Sequence, residues 1–140
     1  AQIINLLLDI QRRFGITYLV IAHDLPLIHQ ISQRIAVMYL GRIVEEGPAD
    51  ELVASPAHPY TVSLLAATPI LEPGSRLEKI ILAGEPPSAI DRPSGCAFHP
   101  RCPIARDKCA KEQPALIDLG DQHATACHYP KELQFTVRGR

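Results

Sequence analysis

Thr17-Tyr18-Leu19-Val20-Ile21-Ala22-His23-Asp24 decides how the first half of this 140-residue chain is read. From Thr17 to Ile21 the run is almost continuously apolar and β-rich, the pattern of a parallel strand buried on both faces. Upstream, Ile3, Leu7, Ile10 and Phe14 recur at helical spacing, Ile4 and Leu8 widen the stripe, and Asn5, Asp9, Arg12 and Arg13 fall on other faces. This predicts a helix with a broad buried side, stopped near Gly15. Helix, short turn and buried strand are half of an α/β unit, so the predicted fold class is α/β.

Downstream, Asp24 is placed to cap a short helix from Leu25 to Ser32, with Pro26 tolerated in its first turn. Ile35 to Leu40 and Arg42 to Glu46 flank Gly41 and read as a tight hairpin. Pro48 opens a helix over Ala49 to Ala54, and another runs from about Tyr60 to Ala67 with Leu64 and Leu65 on its buried side. Eleven of the thirteen prolines then lie at position 56 or later, breaking any long regular element. The longest apolar run beyond Pro69 is Ile80-Ile81-Leu82-Ala83. An irregular module from about Pro69 to Pro130 is predicted, with one short helix from Ile104 to Lys111 and no single large core. Such a segment is expected to need docking, a metal, or both.

Formal charge is -1 and no long run of either sign occurs, which leaves no electrostatic argument for nucleic acid or an anionic membrane surface. No stretch approaches the roughly 20 consecutive apolar residues of a membrane span. Ala1-Gln2-Ile3-Ile4 has neither an initiator Met nor the basic-then-apolar order of a signal peptide, and is expected to be the middle of a longer pattern. A reducing compartment is therefore expected, where clustered thiols favour metal ligation over disulfides.

Two places carry chemistry. His23 follows the predicted strand directly, at the sheet edge where α/β proteins place ligand sites. An imidazole there can donate to a phosphate oxygen, or it can merely satisfy local backbone groups. The other is Cys96, Cys102, Cys109 and Cys127, spaced C-x₅-C-x₆-C-x₁₇-C with no close C-x₂-C pair. That departs from common zinc modules and is compatible with four thiolates gathered round an iron-sulfur cluster. A bound cluster or metal, unligated thiols and two disulfides all remain open on spacing alone. Arg101 and Lys108 could offset negative charge, and His99, His123 and His128 are either substitute ligands or solvated loop residues. No Cys-x-x-Cys pair supports a thiol redox protein.

Ala22-His23-Asp24 resembles the switch region of ABC ATPases, and Met38 to Gly47 the hairpin that follows it. The resemblance implies that His23 contacts the γ-phosphate of ATP. The glutamate that serves the family as general base has no counterpart here, and the G-x-x-x-x-G-K-S/T phosphate loop, the Q-loop glutamine and the Ser-Gly-Gly signature are also absent. Ala1-Gln2-Ile3 resembles the residues just after the family's D-loop, which implies that those motifs lie upstream. Ser55-Pro56-Ala57-His58-Pro59-Tyr60-Thr61 resembles a stretch typical of peptide-importer ATPases. Its expected role is structural, with Pro56 and Pro59 making a rigid turn, Tyr60 packing its ring and Thr61 assisting a helix start.

Leu82-Ala83-Gly84-Glu85-Pro86-Pro87 and the cysteine block resemble the C-terminal extension of oligopeptide and dipeptide transporter ATPases. Some of these hold a 4Fe-4S cluster on four cysteines, which implies that role for Cys96, Cys102, Cys109 and Cys127, with zinc the alternative. The resemblance covers residue 1 to about 130 and implies the C-terminal portion of an ABC nucleotide-binding domain over residues 1–68, a metal-binding extension over 69–130, and a tail over 131–140. It further implies an intact ATPase using ATP and Mg²⁺ at the cytoplasmic face of the membrane. The implied partners are transmembrane permease subunits, a second ATP-binding subunit and an extracytoplasmic peptide-binding protein. This sequence alone is expected to be inactive on ATP, and the competing expectation is a stand-alone cysteine-ligated module that never handles nucleotide.

Overall fold

The structure, a computed structural model, describes residues 2–67, 76–77, 87–133 and 137–138. Helix α1, Gln2–Phe14, forms where the apolar periodicity places it and ends at Gly15, whose φ of 63° no β-carbon-bearing residue adopts readily. Its predicted broad buried side is corrected, because none of its residues is buried. The predicted strand at Thr17 to Ile21 is also corrected: the segment is irregular, with Leu19 92% and Ile21 91% exposed. A strand exists only as part of a ladder, and no described strand pairs with this one.

From Asp24 onward the local rules hold. The Asp24 carboxylate accepts from Leu27 N–H at 3.2 Å and caps helix α2, Leu25–Ile31. Strands β1, Arg34–Tyr39, and β2, Arg42–Pro48, form the expected antiparallel hairpin. Its turn residues Leu40 and Gly41 have φ of 46° and 74°, the left-handed pair that matches the twist of the flanking strands. Strand β1 alternates strictly between exposed and buried positions. A register shift between Val37 and Met38 leaves Val44 as the extra residue of β2, so that Val44 and Glu45 are buried side by side.

Helices α3, Ala49–Ala54, and α4, Pro59–Ala67, follow. Leu65 is buried as predicted whereas Leu64 is only half-buried, and α4 also hides Thr61, Val62, Ser63 and Ala66. Arg76–Leu77 (β3) pairs with Val137–Arg138 (β6). Beyond residue 87 come a 3₁₀ turn at His99–Arg101 and helix α5, Asp107–Lys111, shorter than the predicted Ile104 to Lys111. Ile117–Asp118 (β4) and Ala124–Thr125 (β5) complete an antiparallel sheet in the order β1-β2-β5-β4.

That sheet is what the sequence reading lacked, since β5 joins β2 through Glu45 opposite Thr125 and Glu46 opposite Ala124. Phe98, 1% exposed, enters the same core as Val37, Tyr39, Leu52 and Leu65. Its ring meets Tyr39 edge-on at 5.2 Å and Tyr60 at 5.4 Å. The docking expected of the later segment is met by this cluster, in which Phe98 joins side chains of the first half. Ile80 to Ala83, Leu82 to Pro86 and the boundary at 68/69 lie outside the described residues. Among the described residues no helix is long and apolar enough to cross a membrane.

Candidate functional site

The four cysteines come together. Cys96, Cys102, Cys109 and Cys127 line one cavity of about 10 Å³, with His58, His99 and His128 also on its walls. Cys96 reaches it because Gly95 holds φ at 65° and lets the chain press against α5. A β-carbon at Gly95 would collide with the Cys109 carbonyl. Cys96 N–H donates to that carbonyl at 2.8 Å, and His99 N–H returns to Cys96 O at 2.9 Å, closing the turn that carries Cys102 round. Cys109 sits in α5, and Cys127 follows β5, with Ala126 N–H fastened to Val44 O at 2.8 Å.

No disulfide forms, so all four thiols are free. Burial raises the pKa of Cys96, and pushes Cys102 up to about 11 and Cys127 up to about 12. Repulsion among the thiols adds to this, while the backbone N–H groups of Phe98 and His99 at Cys96, Ile104 at Cys102 and Tyr129 at Cys127 act the other way. Lys108 pairs with Glu112 at 3.8 Å. Among the described residues no three His, Cys, Asp or Glu side chains are arranged to hold a metal ion. The four thiols thus line one cavity without forming a single-ion site.

The histidines divide by partner. His99 Nδ1 bonds Cys96 O at 2.9 Å and His128 Nε2 bonds Glu112 O at 2.8 Å. His123 is no solvated loop residue: it is 1% exposed, and its Nε2 donates to Glu45 Oε1 at 2.7 Å. Glu45, fully buried, also accepts from Ala57 N–H at 2.7 Å on Oε1 and from His58 N–H at 2.9 Å on Oε2. One carboxylate thus joins β2, the turn before α4 and the segment beyond residue 87, a hub that sequence reasoning missed.

His58 was also missed. Tyr60 N–H donates to its Nδ1 at 3.0 Å, its Nε2 is buried without a partner, and burial lowers its pKa to about 4. Tyr60 packs its ring on Tyr39 at 4.6 Å as expected. Thr61 is buried within α4, and its hydroxyl has no hydrogen-bond partner. His23 lies apart from all of this, exposed in the turn before α2.

Residues 44–109 match the family model described as the oligopeptide/dipeptide transporter, C-terminal region. A probable peptide ABC transporter ATP-binding protein of Sinorhizobium fredii is 52% identical over 91% of the chain and 36% of its own length. A dipeptide transport ATP-binding protein of Haemophilus influenzae is 46% identical over 92% of the chain and 39% of its own length. For a di/tripeptide transport ATP-binding protein of Pseudomonas aeruginosa the values are 45%, 94% and 41%. The chain thus spans 36 to 41% of the length of these relatives.

Proposed function

This chain belongs to the family of peptide ABC transporter ATP-binding proteins, and we propose that it forms the C-terminal part of a subunit that couples ATP hydrolysis to uptake of dipeptides or oligopeptides. The observation that carries this reading is identity of 45 to 52% across more than nine-tenths of the chain to proteins of that description. The whole subunit would sit at the cytoplasmic face of the membrane. There it would act with permease subunits, a second ATP-binding subunit and, through the assembled transporter, an extracytoplasmic peptide-binding protein.

His23 is proposed to contact the γ-phosphate in the intact subunit. Stabilisation there acts mainly in the transition state, so His23→Ala in the intact subunit is expected to lower the hydrolysis rate by at least tenfold and leave nucleotide affinity within about threefold. Equal rates at saturating ATP would remove His23 from the site. The 140-residue chain, having no phosphate loop, is expected to show no micromolar affinity for Mg-ATP by calorimetric titration.

Cys96, Cys102, Cys109 and Cys127 are proposed to hold a 4Fe-4S cluster. The donor set fits: four free thiols face one cavity, and in a cluster each thiolate serves a different iron, which asks for wider sulfur spacing than a single zinc does. When bound, the cluster supplies covalent cross-links among the cysteine turns and a one-electron couple. The chain's part is to present the thiols on rigid turns and to exclude water with Phe98 and Tyr129. Anaerobic reconstitution with iron and sulfide is expected to give about four of each per chain. One zinc and no sulfide under the same conditions would overturn the cluster.

A further inference from the structure

We propose that His58 is a built-in hydrogen-bond donor to sulfur of the group held in the cysteine cavity, a positioning residue that sets how readily that group takes up an electron. The inference rests on the cluster reading above and concerns a residue to which that reading gives no role.

The tautomer follows from geometry. Nδ1 accepts from Tyr60 N–H at 3.0 Å, so in the neutral ring the proton is on Nε2. That N–H faces away from Tyr60, is buried, and has no partner of any kind. The ring itself, 1% exposed, stands 5.8 Å from Phe98 and lines the cavity with all four cysteines. Buried donors are almost always satisfied, and an exception calls for an explanation. A thiol sulfur is a weak acceptor, whereas a thiolate or sulfide carries negative charge and makes the stronger, charge-assisted bond. No cysteine sulfur is within hydrogen-bonding reach of Nε2, so a partner for this N–H has to come with the group that the cysteines hold.

The ring is also aimed from behind. His58 N–H and Ala57 N–H both bind the Glu45 carboxylate, at 2.9 and 2.7 Å, which holds the turn, and the Tyr60 N–H bond to Nδ1 holds the ring upon it. Proline follows at position 59 and stiffens the chain on the other side. A donor held so firmly favours the more negative, reduced form of a cluster and raises its midpoint potential, since hydrogen bonds to the sulfurs are among the factors that set it.

The test uses the reconstituted chain, titrated with dithionite as the one-electron reductant and followed by visible absorption. His58→Asn keeps an acceptor for Tyr60 N–H and loses the distal donor; His58→Gln places an amide donor near the Nε2 position. For His58→Asn the reduced-to-oxidised ratio at fixed potential is expected to fall about tenfold, a midpoint about 59 mV lower, and His58→Gln is expected to recover at least half of that. A midpoint unchanged in both variants would overturn the role of His58 while leaving the cluster in place. A wild-type chain that takes up neither iron nor sulfide would overturn both. Should the variants fail to fold, the Nε2–H resonance of ¹⁵N-histidine-labelled wild type decides: it is expected to move on loading, and an unmoved resonance counts against the proposal.

Discussion

Residues 2–22 and residues 87–133 reverse the usual relation between apolar content and burial. The first stretch carries Ile3, Leu6, Phe14, Leu19 and Ile21, all exposed, and none of its residues is buried. The second is rich in proline and poor in apolar side chains, yet it buries Phe98, Cys109, His123 and Thr125. An apolar stripe provides surface to hide; hiding it takes a partner of complementary shape. The later segment finds one in the hairpin, through two ladder pairs, the Glu45 carboxylate and one aromatic ring.

The comparison breaks most directly at Glu45. Glu45→Ala strands the His123 imidazole and two backbone N–H groups in the interior, and is expected to cost about 3–5 kcal/mol in urea denaturation. Hydrogen exchange should rise together over residues 87–133 and the turn before α4, with α1 unchanged. Exchange that rises only near residue 45 would mean the second region is held by something else.

A smaller effect comes from pH. An ordinary histidine takes up a proton near 6.5, while burial holds the folded His58 down to about 4. The unfolded chain therefore binds more protons between these values. Stability contributed by neutral His58 is full above pH 6.5 and is lost as pH falls toward 4, by on the order of 3 kcal/mol. His58→Gln should flatten that limb of the stability profile, and a profile unchanged by the substitution would contradict it. At the alkaline end the metal-free chain behaves oppositely. Cys102 and Cys127 are raised from 9.0 to about 11 and about 12, so their contribution is full below pH 9 and is lost as pH rises through the folded values.

The smallest effect is expected in the first region. Leu19→Ser and Ile21→Ser should change the stability of this chain by no more than about 0.5 kcal/mol, as exposed positions do. Joined to the upstream portion of a full-length relative, the same substitutions should cost about 2–5 kcal/mol where those side chains become covered. Equal costs in both contexts would show that the apolar run stays uncovered in each.

What could be read beforehand was local. Asp24 caps a helix three residues away, and Leu40-Gly41 turns a hairpin whose strands adjoin it. The convergence of the four cysteines was foreseen as a requirement of their chemistry, and all four do line one cavity. The strand at Thr17 to Ile21 failed because its signature states an appetite for neighbours, and the neighbours are not among the described residues. Glu45, His58 and His123 failed for the opposite reason. Each looks like an ordinary surface polar residue: a bulge beside Val44 turns Glu45 inward, a two-residue strand far along the chain brings His123 to it, and the bond from His58 N–H to Glu45 ties in the turn before α4. The positive-φ glycine at position 95 was legible in principle, since Gly before a cysteine turn marks a close approach of two backbones.

The span between Glu45 and His123 also has a meaning in time. The hairpin can close as soon as residue 48 has been made, yet the carboxylate's buried partner lies 78 residues further on. At roughly 5–20 residues per second of synthesis, that interval lasts about 4–16 seconds. Throughout it a nascent chain can offer Glu45 the nearby Ala57 and His58 N–H groups but not the His123 imidazole. The carboxylate's set of partners is thus complete only once the segment between Cys109 and Cys127 has arrived.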